Sequence, residues 1–376
     1  MKKKKCRLSD LATVISGIAR SQPWVSDFGP RLLDDLEAAL SVLVAIACAH
    51  ALHEKNIGWA AFSAYMVIRS QTATTLRRGL LRIIGTVAGA TAACIVPLQI
   101  LASPAWLAVA LMLIGTVTLY LAVTERNGYA WLFIGLTFCM LMTDRLQNPS
   151  ANLYLFAESR IAEVATGTVC AIVLSAVTTM IVRRPLSGNF LQPSEQSAAN
   201  HLRCWQTTAF LHALKGGVAL AIIPLVWPLI KIPSPVQASI TILAVLMIPA
   251  SRLSSPGSPI TTKLAHRFLG CIAGGILAAV GLLACHHSPV AMALLVAIGV
   301  IFGKHIENSD TRFVYIGTQF TLAFLVVLVP DTYQSVSVAV GIDRFLGILC
   351  GMGLLYPILL IANLAHRWYF GTIGKQ

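Results

Sequence analysis

The stretch "LRRGLLRIIGTVAGA", residues 76–90, sets an arginine, Arg82, at the mouth of an apolar run and follows it with Gly85 and Gly89. The arrangement returns in "KLAHRFLGCIAGG", residues 263–275, where Gly270 and Gly274 follow Arg267. At about 100° per residue, places +3 and +7 lie within roughly 60° of the start, so each arginine shares a helix face with its glycines. Glycines four apart let a second backbone come close, so that face is expected to pack inside a helix bundle rather than against lipid. Two more stretches carry the pattern. Arg344 precedes Gly347 and Gly351, while Arg160 precedes Glu163 at the third place and Gly167 at the seventh.

Composition supplies the solvent. Residues of the AVILMFWYC set make up 56% of the 376 residues and charged residues 11%, too little charge to cover a soluble domain of this size. The expected fold is an all-α integral membrane protein. The net charge of +13 comes from basic residues scattered between apolar runs, so it reports orientation in the bilayer and not a nucleic-acid partner. Nine cysteines show no metal or redox spacing and read as small packing residues, and "CHHS" at 285–288 offers too few ligands for a metal. No cofactor is expected. HExxH, nucleophile-elbow and phosphate-loop motifs are all missing, so the chain does not read as an enzyme.

Apolar runs near 36–53, 57–69, 80–101, 104–123, 128–144 and 159–182 predict six spans, and runs near 208–230, 234–250, 264–285, 288–303, 312–330 and 342–364 predict six more. The chain then divides into an N-terminal segment (1–35), a first six-helix repeat (36–182), a linker (183–207), a second repeat (208–364) and a tail (365–376). With both termini cytoplasmic, 23 of the 28 lysines and arginines fall on the inside, as the positive-inside rule asks. In the first segment Leu8, Leu11, Ile15 and Ile18 recur at helical spacing, which reads as an amphipathic helix on the membrane surface; a disordered basic tail is the alternative.

The halves echo each other. "RIIGTVAGA" (82–90) matches "RFLGCIAGG" (267–275), "FIGLTF" (133–138) resembles "YIGTQF" (315–320), and "RIAEVATG" (160–167) pairs with "RFLGILCG" (344–351). The nearly constant offset implies a duplication, and six spans per half give two parallel repeats with a path between or within them.

Arg82, Arg160, Arg267 and Arg344 are the candidate binding groups for an anion, because a cation held on a packed face inside a membrane is costly unless it pairs or serves. Two of that set have a second reading, since Arg82 and Arg267 also satisfy the topology rule as helix-opening charges. Arg160 and Arg344 have theirs in ion pairs with Glu163 and Asp343. Those two carboxylates are the proton-coupling candidates. Asp34, Asp35 and Glu37 read as carboxylates opening the first helix, where the macrodipole favours them. The short second span, "IGWAAFSAYMVIRS" (57–70), and the proline-bracketed eighth mark matching places in the two halves, which points to a substrate site. There Trp59, Phe62 and Tyr65 fall broadly on one side, and Trp59 and Tyr65 are candidates for stacking on an aromatic substrate, with core packing as the alternative.

On "WAAFSAYMV", "RRGLLRIIGTVAGA", "YAWLFIGLT" and "ESRIAEVATGT" the chain resembles the fusaric acid resistance (FUSC) family, which includes aromatic carboxylic acid exporters of bacterial inner membranes. The resemblance implies export of organic anions of the fusaric acid or hydroxybenzoate type, driven by membrane potential or proton motive force. It also implies a periplasmic membrane-fusion partner and a homo-oligomer in the lipid bilayer. The distantly similar malate channels of plants carry anions past arginine-bearing helices. The linker at 183–207 is shorter than the cytoplasmic domain of longer family members. A passive anion channel of the same fold and a non-transporting assembly subunit are the competing readings.

Overall fold

A computed structural model of the chain describes residues 28–97, 103–183, 206–253, 259–285, 288–309, 313–329 and 338–373. The amphipathic segment expected before Phe28, nearly all of the linker, His286 and His287 of the "CHHS" loop and the end of the tail lie outside the described residues. Among those described, twelve helices of eleven residues or more follow one another, with no strand. The first six are α1 (Phe28–Ala51), α2 (Ile57–Val67), α3 (Thr72–Ile95), α4 (Pro104–Thr124), α5 (Gly128–Gln147) and α6 (Leu153–Thr178), which runs into a π-helical turn at Thr179–Arg183. The rest are α7 (Thr207–Val226), α8 (Pro235–Leu246), α9 (Pro259–Ala284), α10 (Pro289–Glu307), α11 (Val314–Leu328) and α12 (Val338–Ile373).

Seven of these helices, α3, α4, α6, α7, α9, α10 and the Gly341–Ala362 part of α12, are long and apolar enough to cross a bilayer. The apolar α2, α8 and α11 are shorter. Prolines in the first turn start α4, α8 and α10, where a missing N–H costs nothing. Helix α2 stops because Ile68 turns extended (φ −59°, ψ 130°), and it is buried nearly all round, as a short helix wrapped by longer ones must be.

Apolar side chains cover the outside, and the interior holds charged and polar groups among its apolar core. Ile84, Leu277, Leu294 and Ile298 are half exposed or more, along with their neighbours on α3, α9 and α10, whereas Arg82, Arg160 and Arg267 are 3–4% exposed and Glu163 is fully buried. In water that distribution would be unstable; it is the one a lipid solvent selects. The chain is a multi-span membrane protein.

The helices of the two halves pack in the same pattern. Helix α3 lies along α5 as α9 lies along α11, and α2 lies along α6 as α8 lies along α12. The first helix of each half crosses over: α1 packs on α10, and α7 on α4. Small residues allow both crossings, with Ala38, Val42, Ala45 and Ala49 buried on α1 and Gly217 of α7 against the Met112 carbonyl of α4. As a result each of the two main apolar clusters is built from both halves.

The glycines after the arginines sit where expected. A Cβ on Gly85 would reach the Ala130 carbonyl of α5, and one on Gly270 the Ile316 carbonyl of α11. These contacts set Ala130 against Ile316 and Phe133 against Gln319, an offset of 186 residues. The sequence match of "FIGLTF" with "YIGTQF" is therefore one helical turn out of register. A slip of one turn keeps the same residues on the same face, so short apolar strings cannot distinguish the two alignments. Helix starts also differ from expectation. Arg82 and Arg267 do not open their helices but lie about 15 and 12 Å inside them, at 1.5 Å per residue from Thr72 and Pro259.

A side chain at Gly274 would strike the Phe320 carbonyl, while one at its neighbour Gly275 meets nothing within 4 Å. Gly274→Ala is expected to destabilise the detergent-solubilised protein by about 1–3 kcal/mol and Gly275→Ala to leave it unchanged. Thermal unfolding of the two variants checks this.

Candidate functional site

Helix α2 is the spine on which the charged interior of the first half is strung. At its start Asn56 forms no side-chain cap and instead donates to Glu163 Oε1 at 2.9 Å, where Ser159 also donates at 3.0 Å. The other carboxylate oxygen faces Arg160 Nη1 at 3.3 Å, and the guanidinium is stacked on the rings of Trp59 (4.4 Å) and Phe156 (4.9 Å). One turn on, Ser63 accepts from Arg82 Nη2 at 3.1 Å. Trp59 and Ser63 are four residues apart, so the two arginines meet α2 about 6 Å apart along its axis. At the far end the Tyr65 hydroxyl donates to Glu307 Oε2 at 2.6 Å.

Arg82 and Arg267 occupy matching sites. Arg82 Nη2 bonds the Ser63 hydroxyl of α2, and Arg267 Nη2 bonds the Thr241 hydroxyl of α8, both at 3.1 Å. Ser63 and Thr241 are equivalent, because Gly167 packs on the first and Gly351 on the second. One turn toward the start of each helix lies a second cation against a tyrosine ring: Arg78 over Tyr129 and Lys263 over Tyr315. The halves differ at the next neighbour. The face of Arg82 rests on Phe133 at 4.2 Å, whereas Arg267 Nη1 donates to Gln319 Oε1 at 2.6 Å.

The face at which the chain enters α1 carries a cavity of about 270 Å³ lined by Asp34, Glu37, Arg69, Arg78, Lys304 and Glu307, among others. Beside it Glu307 holds both Arg69 and Lys304 at 3.2 Å, and Asp35 holds His305 at 2.8 Å and Asn308 at 3.0 Å. These bonds tie α1 and α2 of the first half to α10 of the second. The matching corner of the second half is built differently. There Lys263 donates to the Ala244 and Met247 carbonyls that end α8, and His212 pairs with the Leu246 carbonyl at 2.8 Å.

The structure thus brings Arg160, Glu163 and Trp59 together, and places Arg82 one turn away on α2. Tyr65 sits apart from them in the Glu307 network. Arg344 reaches the Val326 carbonyl at 3.5 Å and lies within the electrostatic field of Arg160, while Asp343 is exposed. Asp34, Asp35 and Glu37 do not open α1, which begins at Phe28 and has no acidic residue in its first turn. Asp35 is fully buried and serves as the partner of α10. The network of Arg69, Lys304, His305 and Glu307 was not legible in the sequence. Its one local signal is an acid, Glu307, three places after Lys304 at the end of an apolar run.

The family model for fusaric acid resistance protein-like proteins matches residues 44–174 and again residues 228–358. The two matches are offset by 184 residues, and each covers the helices that carry one set of equivalent arginines. No curated protein and no solved structure matches the chain.

Removing the carboxylate from Glu163 leaves the Arg160 guanidinium buried without a counter-ion. Glu163→Gln is expected to destabilise the protein by about 3–5 kcal/mol, and adding Arg160→Gln to recover part of that loss. A double-mutant cycle on reversible unfolding in detergent measures the coupling, and strictly additive losses would contradict a pair.

Proposed function

Because the chain belongs to the fusaric acid resistance protein-like family, we propose that it is a transporter exporting organic anions, aromatic carboxylates among them, across the bacterial inner membrane. The observation that carries this reading is the line of guanidinium groups along α2. Arg78 lines the mouth cavity, Arg82 lies one turn deeper and is buried, and Arg160 follows about 6 Å further along α2. A carboxylate moving along that line exchanges water for charge-assisted hydrogen bonds. Its ring exchanges water for the aromatic surfaces that flank the arginines, Phe133, Trp59 and Phe156.

Orientation follows from the cation count in the sequence, with the mouth cavity and both termini on the cytoplasmic side. A membrane potential of about 100 mV, inside negative, then favours exit of a monovalent anion by about 2.3 kcal/mol. That drive suffices without proton exchange, in keeping with a Glu163 whose two oxygens are already engaged by Arg160, Asn56 and Ser159. The membrane-fusion partner and the homo-oligomer expected from the resemblance belong to the same proposal.

Proteoliposomes loaded with labelled benzoate test it. An inside-negative potential is expected to drive efflux, Arg82→Gln to lower the rate by roughly tenfold or more, and Arg77→Gln, at an exposed site, to leave it unchanged. Flux indifferent to Arg82→Gln would remove the arginine line as the path.

A further inference from the structure

The two equivalent arginines keep different company, and the difference has a direction. Around Arg267 the protein supplies acceptors for both terminal nitrogens, with Thr241 taking Nη2 and Gln319 taking Nη1, and Nε alone is buried without a partner. Around Arg82 the Ser63 hydroxyl accepts from Nη2, and no acceptor stands within hydrogen-bonding geometry of the buried Nε and Nη1. Phe133, standing where the second half has Gln319, offers a ring face and no acceptor. Arg82 forms no ion pair among the described residues, and its titratable neighbour is the phenol of Tyr129, matched by Tyr315 beside Arg267, so the tyrosines are common to both halves.

Other unsatisfied donors lie close by. Thr86, one turn beyond Arg82 on the same face, and Thr168, whose methyl lies against Gly79 one turn before it, are buried with hydroxyls that have no partner. The second half has Cys271 and Met352 at the corresponding places, so the hydroxyls belong to the first half alone. A buried cation with surplus donors and no carboxylate is a site for an anion, since leaving such groups unpaired in a low-dielectric interior is costly. The cavity at the mouth, lined by Arg78 one turn away and by Lys304 and Glu307 of the second half, lies next to this site.

We propose that the chain seats one monovalent anion at Arg82, Thr86, Thr168 and Tyr129, and that Arg267, closed by Gln319 and Thr241, is a structural copy that binds none. This rests on the reading of the chain as an organic-anion transporter and assigns the seat to one half. The shared chemistry is that of a carboxylate or a halide.

Calorimetric titration of the purified full chain with benzoate, and separately with chloride, tests the assignment. The wild type is expected to bind one benzoate per chain, with chloride displacing it if the seat takes either anion and failing to displace it if the carboxylate is required. Phe133→Gln, which gives Arg82 the acceptor that Arg267 has, is expected to weaken benzoate by roughly tenfold or more. Thr86→Cys, a milder copy of the second half, is expected to weaken it by a smaller factor with the fold intact. Gln319→Phe, which frees Arg267 Nη1, is expected to raise the stoichiometry above one. Two benzoates on the wild-type chain, or binding unaffected by both Phe133→Gln and Thr86→Cys, would overturn the single-seat assignment while leaving anion transport standing. No benzoate bound by the wild type would overturn both.

Discussion

A guanidinium group inside a lipid-facing helical bundle must be held by something, and most of the structure can be read as the means of holding four of them. Moving such a cation to the centre of a bilayer costs at least about 2.5–3.5 kcal/mol on insertion scales. Here the cost is reduced by keeping each arginine on a helix face that a neighbouring backbone approaches closely. Glycines at the next two turns make that approach possible, as at Gly85, Gly89, Gly270 and Gly274. Hydroxyls, a carboxylate and aromatic rings then supply the contacts.

The short second helix of each half is the element that makes this arrangement work. Being buried nearly all round, α2 can meet α6 at Trp59, α3 at Ser63 and α10 through Tyr65 within eleven residues. The crossing of α1 onto α10 and of α7 onto α4 then fuses the halves into shared cores. The Asp35–His305 and Tyr65–Glu307 contacts are consequences of that crossing.

Duplication gave the two halves one plan, and substitution has made them unequal. Glu163 stands where the second half has Gly347, and Phe133 where it has Gln319. Carboxylates gather at the mouth of the first half, whereas the corresponding corner of the second half holds His212 and Lys263 against bare carbonyl groups.

The periodic features were readable from the sequence, and the long-range ones were not. Arginine and glycine spacing identified the packed faces of α3, α6, α9 and α12, because that signal lies within two turns of one helix. Helix starts were misplaced because an apolar run marks where lipid contact begins, while the backbone ladder continues outward past it, as Thr72–Leu81 does before Arg82. The register of α5 against α11 slipped by a turn for want of a residue that distinguishes one turn from the next. The Asp35–His305 bond joins positions 270 residues apart, and only the swapped packing of α1 brings them together.

The most direct test of the account is an experimental structure of the protein in lipid with a bromine-substituted benzoate. The account places the carboxylate within hydrogen-bonding distance of Arg82, with the anomalous bromine signal between α2, α3 and α5. A structure in which the four guanidinium groups turn outward to lipid headgroups, with the ligand absent from the bundle interior, would contradict it.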